Sequence, residues 1–323
     1  MSGAIEQKLT AMLAAARAER SFLYLPSGGL ADCALRRVAA GALMRPLPGV
    51  YAAPGDWSAL APNDRARYAM RALARRDPGI QFCSYSAALL SNLEVHYSRA
   101  FPLQVAANAG SHRRQYQNLR YVPLLHRARY TVDGLCVTSI EDTLFECLRS
   151  DGLKYALGPL DSALRLGLVE KEALVEHFRL HHRGQKGVRR AIAAAKLGDS
   201  RAANGGESYA RAVMYELGFE MPELQVPIEN PLDPGRFFYA DFGWRRDGRL
   251  VALGELDGVE KYLNPHMTGG ARPFEVMRRE RMRESLITLA ACPVVRFTFG
   301  ALDNLRGMTE LLDAYGVPHR RDT

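Results

Sequence analysis

Apolar residues recur at helical spacing near the start of the chain and then give way to an extended pattern. They predict one helix over residues 4–17 and a second over residues 31–40, with Asp32 as its N-cap. After Gly41 the pattern is that of two short strands, which a proline- and glycine-rich reversal at residues 46–49 separates. The pattern therefore predicts two helices and a β-hairpin within the first 58 residues.

Two helices followed by a hairpin form the outline of a winged helix-turn-helix, whose second helix enters the major groove of DNA. On that helix we expect Leu35 and Val38 to face the core. Arg36 and Arg37 are expected to face outward, where they can contact phosphates or guanine edges. Arg45 on the wing can add a contact to the DNA backbone. The alternative is an ordinary solvated face.

The segment over residues 32–52 also resembles the N-terminal winged helix of AbiEi-type antitoxins and related bacterial regulators. The resemblance implies DNA as a partner and a toxin–antitoxin or phage-defence setting. It also implies a homodimer or a cognate toxin or defence protein as a further partner. The residues that match are Leu35, Arg36, Arg37, Val38, Gly41, Leu43, Arg45, Gly49, Val50, Tyr51 and Ala52.

Between residues 59 and 200 short strands alternate with helices, which predicts a mixed α/β middle region. Its clearest element is a strand that runs into a helix over residues 135–148, with Ser139 as the N-cap and Asp142 three residues later. The region also holds an i, i+4 histidine pair that could bind a metal, although the sequence brings no third ligand into view. The histidines are His177, His181 and His182.

Positive charge is concentrated in two stretches of this middle region. Residues 111–130 contain five arginines, among them Arg113 and Arg114, and no acidic residue. Residues 179–201 contain seven lysines and arginines against one aspartate. Together they exceed the net charge of +8 of the whole chain. Such a concentration suits contact with a phosphate backbone, and the alternative is a solvated face with a basic linker.

From residue 201 onward, acidic residues lie on a predicted helix and a predicted hairpin. A helix that starts near residue 205 carries Glu207 on the side that faces the domain interior. Two apolar runs then flank a turn at residues 246–248, which predicts a hairpin with a three-residue loop. In that hairpin Arg245 pairs with Arg249.

The register of this hairpin decides which acids share a face. With a three-residue loop Asp241, Glu255 and Asp257 fall on one face of the sheet. A two-residue turn would pair Asp241 with Gly254 instead, on the opposite face from Glu255. The cross-strand pairs that the longer loop predicts are Tyr239–Glu255 and Asp241–Leu253.

Acidic groups that converge on one face repel one another unless a cation lies between them, and Mg²⁺ or Mn²⁺ prefers such oxygen ligands. We therefore predict a metal site with Asp241 and Glu255 as the primary ligands. Glu207 and Asp257 are expected to complete it. Such an ion activates water and neutralises the charge that develops on a scissile phosphate. Lys261, just past the strand, can orient that water, so we expect it to be catalytic together with Asp241, Glu255 and Asp257.

The same region resembles the very-short-patch-repair-like endonuclease domains of the PD-(D/E)XK nuclease superfamily. The resemblance implies a Mg²⁺-dependent DNA endonuclease, in which Arg281 and Arg283 contact the phosphate backbone. The motifs that match are Glu207, Asp241-Phe242, Gly254-Glu255-Leu256-Asp257-Gly258, Lys261-Tyr262, Glu280-Arg281-Met282-Arg283-Glu284 and Val295-Arg296-Phe297-Thr298.

One position departs from the superfamily pattern, because Asp257 stands two residues after Glu255, where a catalytic lysine is common. Either Lys261 takes over that role or Asp257 is a further ligand. If neither holds, the domain binds metal or DNA without cutting. The remaining alternative is that the acids form salt bridges with arginines of the next helix, which are Arg278, Arg279 and Arg283.

Composition adds the setting. The chain has 323 residues, of which 47% are hydrophobic and 24% charged, as in globular proteins. No stretch approaches the roughly 18 consecutive apolar residues of a spanning helix. The five scattered cysteines include no CxxC pair, which fits the reducing cytoplasm in which we expect the protein.

These patterns predict an α+β multidomain protein. We expect a winged helix-turn-helix over residues 1–58, a mixed α/β middle region with a basic linker over residues 59–200, and a PD-(D/E)XK restriction-endonuclease-like domain over residues 201–323. The function is expected to be either DNA hydrolysis or transcriptional repression by a protein with a catalytically inactive nuclease-like domain. The four acids and the lysine in this order favour the enzyme, and the aspartate at position 257 favours the regulator.

Overall fold

A computed structural model describes residues 2–108, 116–125, 128–230, 232–257 and 292–320. Helices and three β-sheets contribute to this part of the chain, which confirms a mixed α and β protein. None of the helices within these ranges is long and apolar enough to cross a membrane.

The chain divides into two compact units. The first unit consists of the residues up to 151 together with residues 168–196. The second consists of residues 152–167 and the residues from 197 onward. The predicted domain boundaries after residues 58 and 200 stay predictions.

The helices and strands that follow are those of the described ranges, in chain order. The helices are α1 (Ser2–Ala18), α2 (Gly29–Ala39), α3 (Pro54–Ala59), α4 (Pro62–Arg76), α5 (Ser84–Leu90), α6 (Ile140–Ser150), α7 (Leu153–Arg165), α8 (Lys171–His181), α9 (Val188–Lys196), α10 (Gly205–Glu216), α11 (Phe299–Asp303) and α12 (Leu305–Ala314). The strands are β1 (Leu23–Tyr24), β2 (Met44–Leu47), β3 (Val50–Ala52), β4 (Gln81–Phe82), β5 (Leu103–Ala107), β6 (Leu119–Pro123), β7 (Tyr130–Val132), β8 (Leu135–Val137), β9 (Glu223–Glu229), β10 (Phe237–Arg246), β11 (Arg249–Asp257) and β12 (Val294–Thr298).

The first unit begins with α1, α2 and a three-stranded sheet in which β3 lies between β1 and β2. The helices and the sheet share an apolar core around Leu9, Ala34 and Tyr51. Gly49, with a φ of 76°, makes the reversal between β2 and β3. The predicted order of helix, helix and hairpin is therefore confirmed.

Two details of α2 differ from the sequence predictions. Asp32 lies in the first turn of the helix and not at its N-cap. Leu35 is 38% exposed, so it does not face the core. The stripe that packs inward contains Ala31, Ala34 and Val38, which are three and four residues apart, and Leu35 lies beside this stripe.

The rest of the first unit is built on a five-stranded sheet of order β6-β5-β4-β8-β7. The chain leaves β8 and enters α6, where the Ser139 Oγ accepts the Asp142 N–H at 3.0 Å. This contact confirms the predicted N-cap. Helices α6, α8 and α9 pack together, and the rings of Phe145 and Phe178 lie 5.3 Å apart between α6 and α8.

The second unit contains a four-stranded sheet of order β12-β11-β10-β9, in which β12 runs parallel to β11 and the other pairs are antiparallel. Helix α10 packs on this sheet through Val213 and Met214, and Phe242 and Trp244 point into the same core. The helix predicted to start near residue 205 is confirmed as α10. Its interior-facing Glu207 is buried.

The hairpin of β10 and β11 has a two-residue turn, so the predicted three-residue loop is wrong. Asp247 and Gly248 form the turn with φ angles of 51° and 78°, and Arg246 pairs with Arg249. An Asp-Gly pair favours this turn because both central residues need a positive φ. After Trp244 the register shifts, which leaves one extra residue on β11.

The register shift after Trp244 changes which residue of β11 lies opposite Asp241. Without it Asp241 would lie opposite Gly254, but the strands instead pair Phe242 with Gly254. Continued by one step beyond this last pair, the same register would set Asp241 level with Glu255. The predicted pairs Tyr239–Glu255 and Asp241–Leu253 are wrong, because Gly243 pairs with Leu253 and Phe242 with Gly254.

Candidate functional site

The paired ladder between β10 and β11 stops beside Asp241. On the side away from the turn, Phe242 and Gly254 are the last pair of this ladder. Both strands continue beyond them, and the structure describes those residues of both strands. The Asp241 carboxylate then takes the place of a main-chain acceptor, because its Oδ2 accepts the Leu256 N–H at 2.9 Å. Asp241 is half-buried and is held where the two strands diverge.

A row of polar side chains crosses the sheet at this level. Continued by one step, the strand registers place Asp241 between Gln225 of β9 and Glu255 of β11. Glu255 pairs in turn with Arg296 of β12. Glu255 is only 4% exposed, and a buried carboxylate is costly unless cations or hydrogen-bond donors balance it. These registers therefore place the two acids, Asp241 and Glu255, between the amide of Gln225 and the guanidinium of Arg296. We call these four residues the carboxylate row.

Glu207 reaches this row from the first turn of α10. Its Oε2 accepts the Ala203 N–H at 2.9 Å and the Gln225 Nε2 at 3.3 Å. Its Oε1 accepts the Asn204 Nδ2 at 3.2 Å. The glutamate thus closes the turn before α10 and holds the side chain of Gln225.

Asp257 lies at the end of β11 and is half-buried. It pairs with Thr298, and its Oδ1 lies 3.8 Å from the Arg296 Nη1. A guanidinium therefore lies near the Asp257 carboxylate. The arginines that sequence analysis offered as alternative partners lie outside the described residues, and these are Arg278, Arg279 and Arg283.

The donor set suits Mg²⁺ or Mn²⁺ if two carboxylates are the protein ligands. Among the described residues, Glu207, Asp241, Glu255 and Asp257 do not bring three carboxylate oxygens from different residues within 4.8 Å of one another. Mg²⁺ does not require that, because it keeps several waters and binds one or two carboxylates together with substrate phosphates. Asp241 and Glu255, level on adjacent strands, fit this requirement.

A buried ion pair fastens the helix that carries Glu207. Arg211 of α10 and Asp161 of α7 are 1% and 0% exposed, and Arg211 Nη2 lies 2.7 Å from Asp161 Oδ1. Arg211 Nε adds a contact of 3.2 Å to Oδ2. Two-point contacts between arginine and carboxylate fix the relative position of the two helices.

The arginines predicted to contact DNA from the first unit lie at its surface. Arg36 on α2 and Arg45 on β2 are exposed. Arg37 is half-buried and lies 3.6 Å from Glu6, so part of its charge is already balanced. The remaining predicted site residues lie outside the described residues, and these are Arg113, Arg114, Lys261, Arg281 and Arg283.

A second cluster, which sequence analysis did not assemble, lies in the first unit. Asp142 of α6 meets His177 of α8 and His182, which caps α8. His181, which is four residues after His177, is not a member of this cluster. The only sequence signal was the predicted cap, which places Asp142 in the first turn of α6. The packing of α8 against α6 was not predicted.

The charges within this cluster are coupled. Burial alone would raise the pKa of Asp142, but the hydrogen bond and charge of His182, with a smaller effect of His177, lower that pKa below its ordinary value. Burial lowers the pKa of His177, and the neighbouring His181 lowers it further. These shifts favour the ionised form of Asp142 and the neutral form of His177.

Comparison with known proteins gives two relatives and no activity. No family model matches the chain, and no solved structure matches it. The chain is similar to the uncharacterized protein MT2308 of Mycobacterium tuberculosis (strain CDC 1551 / Oshkosh) and to the uncharacterized protein Rv2248 of Mycobacterium tuberculosis (strain ATCC 25618 / H37Rv). Each is 34% identical over 134 residues, which is 42% of this chain and 47% of the relative. The chain thus spans about half the length of the curated relatives that it matches.

Proposed function

We propose that the chain is a Mg²⁺-dependent DNA endonuclease of the PD-(D/E)XK type. The observation that carries the proposal is the Asp241 carboxylate, which lies where β10 and β11 diverge and is level with the buried Glu255. Two carboxylates on adjacent strands suit a small hard cation that also binds a phosphate. Bound at Asp241 and Glu255, Mg²⁺ or Mn²⁺ would supply activation of water and neutralisation of the charge developing on the scissile phosphate.

The chain's own residues orient this site. Glu207 and Gln225 hold the row on the β9 side of Asp241. Arg296, on the other side, carries donors that can bind a phosphate oxygen. Lys261 remains our candidate for orienting the attacking water.

The proposal that DNA is the substrate rests on the first unit. Its helices and hairpin have the element order of a winged helix-turn-helix. Arg36 and Arg45 are exposed on the two elements that such a module presents to DNA. The same module would suit a cytoplasmic bacterial defence or toxin–antitoxin protein, acting as a homodimer or with a cognate partner.

One observation favours a second function, that of a transcriptional repressor or antitoxin with an inactive nuclease-like domain. Asp257 occupies the position of the usual lysine and lies 3.8 Å from Arg296. An acid neutralised by a fixed arginine has less capacity to bind a metal or move a proton. In this alternative the first unit binds an operator, and the carboxylate row is structural.

Nicking of supercoiled plasmid DNA by the full-length chain separates the two functions. The wild type, Glu255→Gln and Asp247→Asn are compared in Mg²⁺ and in Mn²⁺. Asp247→Asn is the matched control, because it removes a carboxylate from the same hairpin while Asn-Gly keeps the turn. We expect Glu255→Gln to slow nicking by about 10²–10³-fold, as for loss of a key electrostatic group. The control variant should nick at the wild-type rate.

DNA affinity, measured by fluorescence anisotropy on the same samples, gives the second readout. In the absence of metal, the nuclease proposal expects equal affinity in the wild type and Glu255→Gln, since the first unit supplies most of the binding. Binding of DNA without nicking by the wild type in either metal would contradict the nuclease and favour the regulator. Arg36→Ala and Arg45→Ala should each lower affinity and reduce the salt slope by about one.

A further inference from the structure

Three side chains of the first unit converge around one point, and none of them belongs to the carboxylate row. His182 Nε2 lies 3.0 Å and His177 Nε2 lies 3.8 Å from the same Oδ1 of Asp142. All three ligand atoms lie within 4.8 Å of one another. Four-coordinate Zn²⁺, with bonds of about 2.0–2.1 Å, separates its ligand atoms by about 3.3 Å. The three atoms therefore stand close to the spacing of three corners of a zinc tetrahedron.

Hydrogen bonding among these groups does not account for the position of His177. The His177 Nε2 atom is buried, and no residue in the described part of the chain forms a hydrogen bond with it. A buried polar atom without such a bond is costly and calls for an explanation. A metal ion at this point would satisfy the nitrogen, since a neutral imidazole offers its lone pair to a cation.

The surroundings of His182 also fit a ligand. The side chain is 3% exposed and stacks on Phe145 with ring centroids 3.6 Å apart. Its Nδ1 lies 3.0 Å from the side-chain amide of Gln185. Because the oxygen and nitrogen of an amide can be exchanged by a flip, Gln185 can accept the Nδ1–H of a histidine whose Nε2 binds metal. Such an outer hydrogen bond fixes the ring orientation that a metal ligand needs.

Charge near the cluster favours a cation. Glu141 and Asp142 both attract positive charge at His177, and the buried Glu146 interacts with His182. The positive charge of Arg149, which also lies on α6, is partly balanced by Glu146, because Arg149 Nε donates to Glu146 Oε1 at 2.8 Å.

We propose that Asp142, His177 and His182 bind one divalent transition-metal ion of the Zn²⁺ class, with water as the fourth ligand. Two imidazoles and one carboxylate favour such an ion over Mg²⁺, which prefers oxygen. Asp142 lies in the first turn of α6 and the histidines at the end of α8. The ion therefore clamps these two helices of the first unit.

The test is a titration of the full-length chain, first stripped with a chelator, with Zn²⁺ by calorimetry and with Co²⁺ by visible absorption. We expect one ion per chain and the Co²⁺ spectrum of a four-coordinate nitrogen and oxygen site. His177→Ala and Asp142→Asn should each weaken binding by more than about 100-fold, because even outer-shell changes cost about 10–100-fold. His181→Ala is the matched control, since it removes the adjacent histidine of α8 and should leave affinity unchanged.

Folding and site identity need their own controls. Circular dichroism of each metal-free variant separates loss of the site from loss of the fold, and the half-buried His177 is the safer position to change. Glu255→Gln should keep the full Co²⁺ spectrum, because its carboxylate belongs to the other unit. The proposal is overturned if the stripped wild type binds neither ion, or if binding survives both His177→Ala and Asp142→Asn.

Discussion

The two candidate sites differ in how far the protein alone completes them. In the first unit, Asp142, His177 and His182 bring three ligand atoms within 4.8 Å of one another. In the second, Asp241 and Glu255 lie side by side on diverging strands, with Gln225 on one flank. One arrangement resembles a finished coordination shell, and the other leaves most of the shell to water and substrate.

This difference follows from the elements that carry the ligands. Two packed helices can aim side chains from separate positions at one point, as at the histidine cluster. Adjacent strands instead set their side chains in a row about 4.5–5.5 Å apart at Cβ, which suits a shared ion and a bound phosphate. We infer that the histidine cluster binds its ion without DNA and that the carboxylate pair binds Mg²⁺ tightly only when DNA is present.

The largest expected effect tests the buried ion pair of Arg211 and Asp161, which fastens the helix that carries Glu207. Arg211→Met leaves the fully buried Asp161 carboxylate without its partner. We expect a loss of about 3–5 kcal/mol in the free energy of unfolding of the second unit, as when one member of a buried pair is removed. Urea denaturation measured by fluorescence in a Trp57→Phe background tests it, because the remaining Trp244 lies in the core of that unit.

The control for this prediction is the double variant Asp161→Leu/Arg211→Met, which should recover most of the stability because it leaves no buried charge. Co²⁺ binding by the histidine cluster should not change in either variant. A loss below about 1 kcal/mol in Arg211→Met would mean that the pair is no more important than a surface pair.

The next effect contrasts the two metals directly. Zn²⁺ at 100 times its dissociation constant should stabilise the first unit by about 2.7 kcal/mol without DNA, because it binds only the folded cluster. Millimolar Mg²⁺ alone should have a much smaller effect, since its site lacks the phosphate ligand. Differential scanning calorimetry of the stripped chain with each ion measures both shifts. Equal stabilisation by the two ions would remove the distinction between a complete and an incomplete site.

Sequence patterns anticipated the carboxylate row better than the histidine cluster. The alternation along two adjacent strands predicted a level for Asp241 and Glu255 that the observed register also gives when it is continued by one step, although the turn length and the bulge after Trp244 were not foreseen. The cluster could not be predicted because His182 caps α8 and meets Asp142 only through helix packing. Periodicity describes faces within one element, and it carries no information on which helices meet.

A smaller effect tests the outer shell of the histidine cluster. Gln185→Ala removes the side chain that lies 3.0 Å from His182 Nδ1. We expect Zn²⁺ affinity to fall by about 10-fold, the lower end of the usual outer-shell range. Competition with a chromophoric chelator measures this change. Gln185→Glu should retain the affinity, because a carboxylate can accept the same Nδ1–H, and failure of this rescue would count against the proposed orientation.

The smallest effect concerns pH and the loop that precedes α10. Asp199 donates its N–H to Asp161 at 2.8 Å, and its carboxylate accepts from Arg201 Nη2 at 2.7 Å. Burial would raise the pKa of Asp199, but the hydrogen bonds and charge of Arg201 outweigh it and hold that pKa below its ordinary value. Asp199→Asn should therefore lower the free energy of unfolding at pH 7 by about 1 kcal/mol.

The sign of the pH dependence follows from linkage. Because the pKa of Asp199 is lower in the folded state, the unfolded state binds more protons between the two pKa values, and stability rises with pH across that interval. The stabilisation is fully present above the ordinary aspartate value of about 3.9 and is lost as the pH falls through the folded-state value. Urea denaturation of the wild type and Asp199→Asn should therefore converge in acid. Asp233→Asn, which alters an exposed i, i+3 pair with Arg236, should change stability by less than about 0.5 kcal/mol at any pH. The difference in the free energy of unfolding between the wild type and Asp199→Asn could instead stay constant from pH 7 into acid. That result would mean that Asp199 stabilises the loop before α10 through its shape and not through its charge.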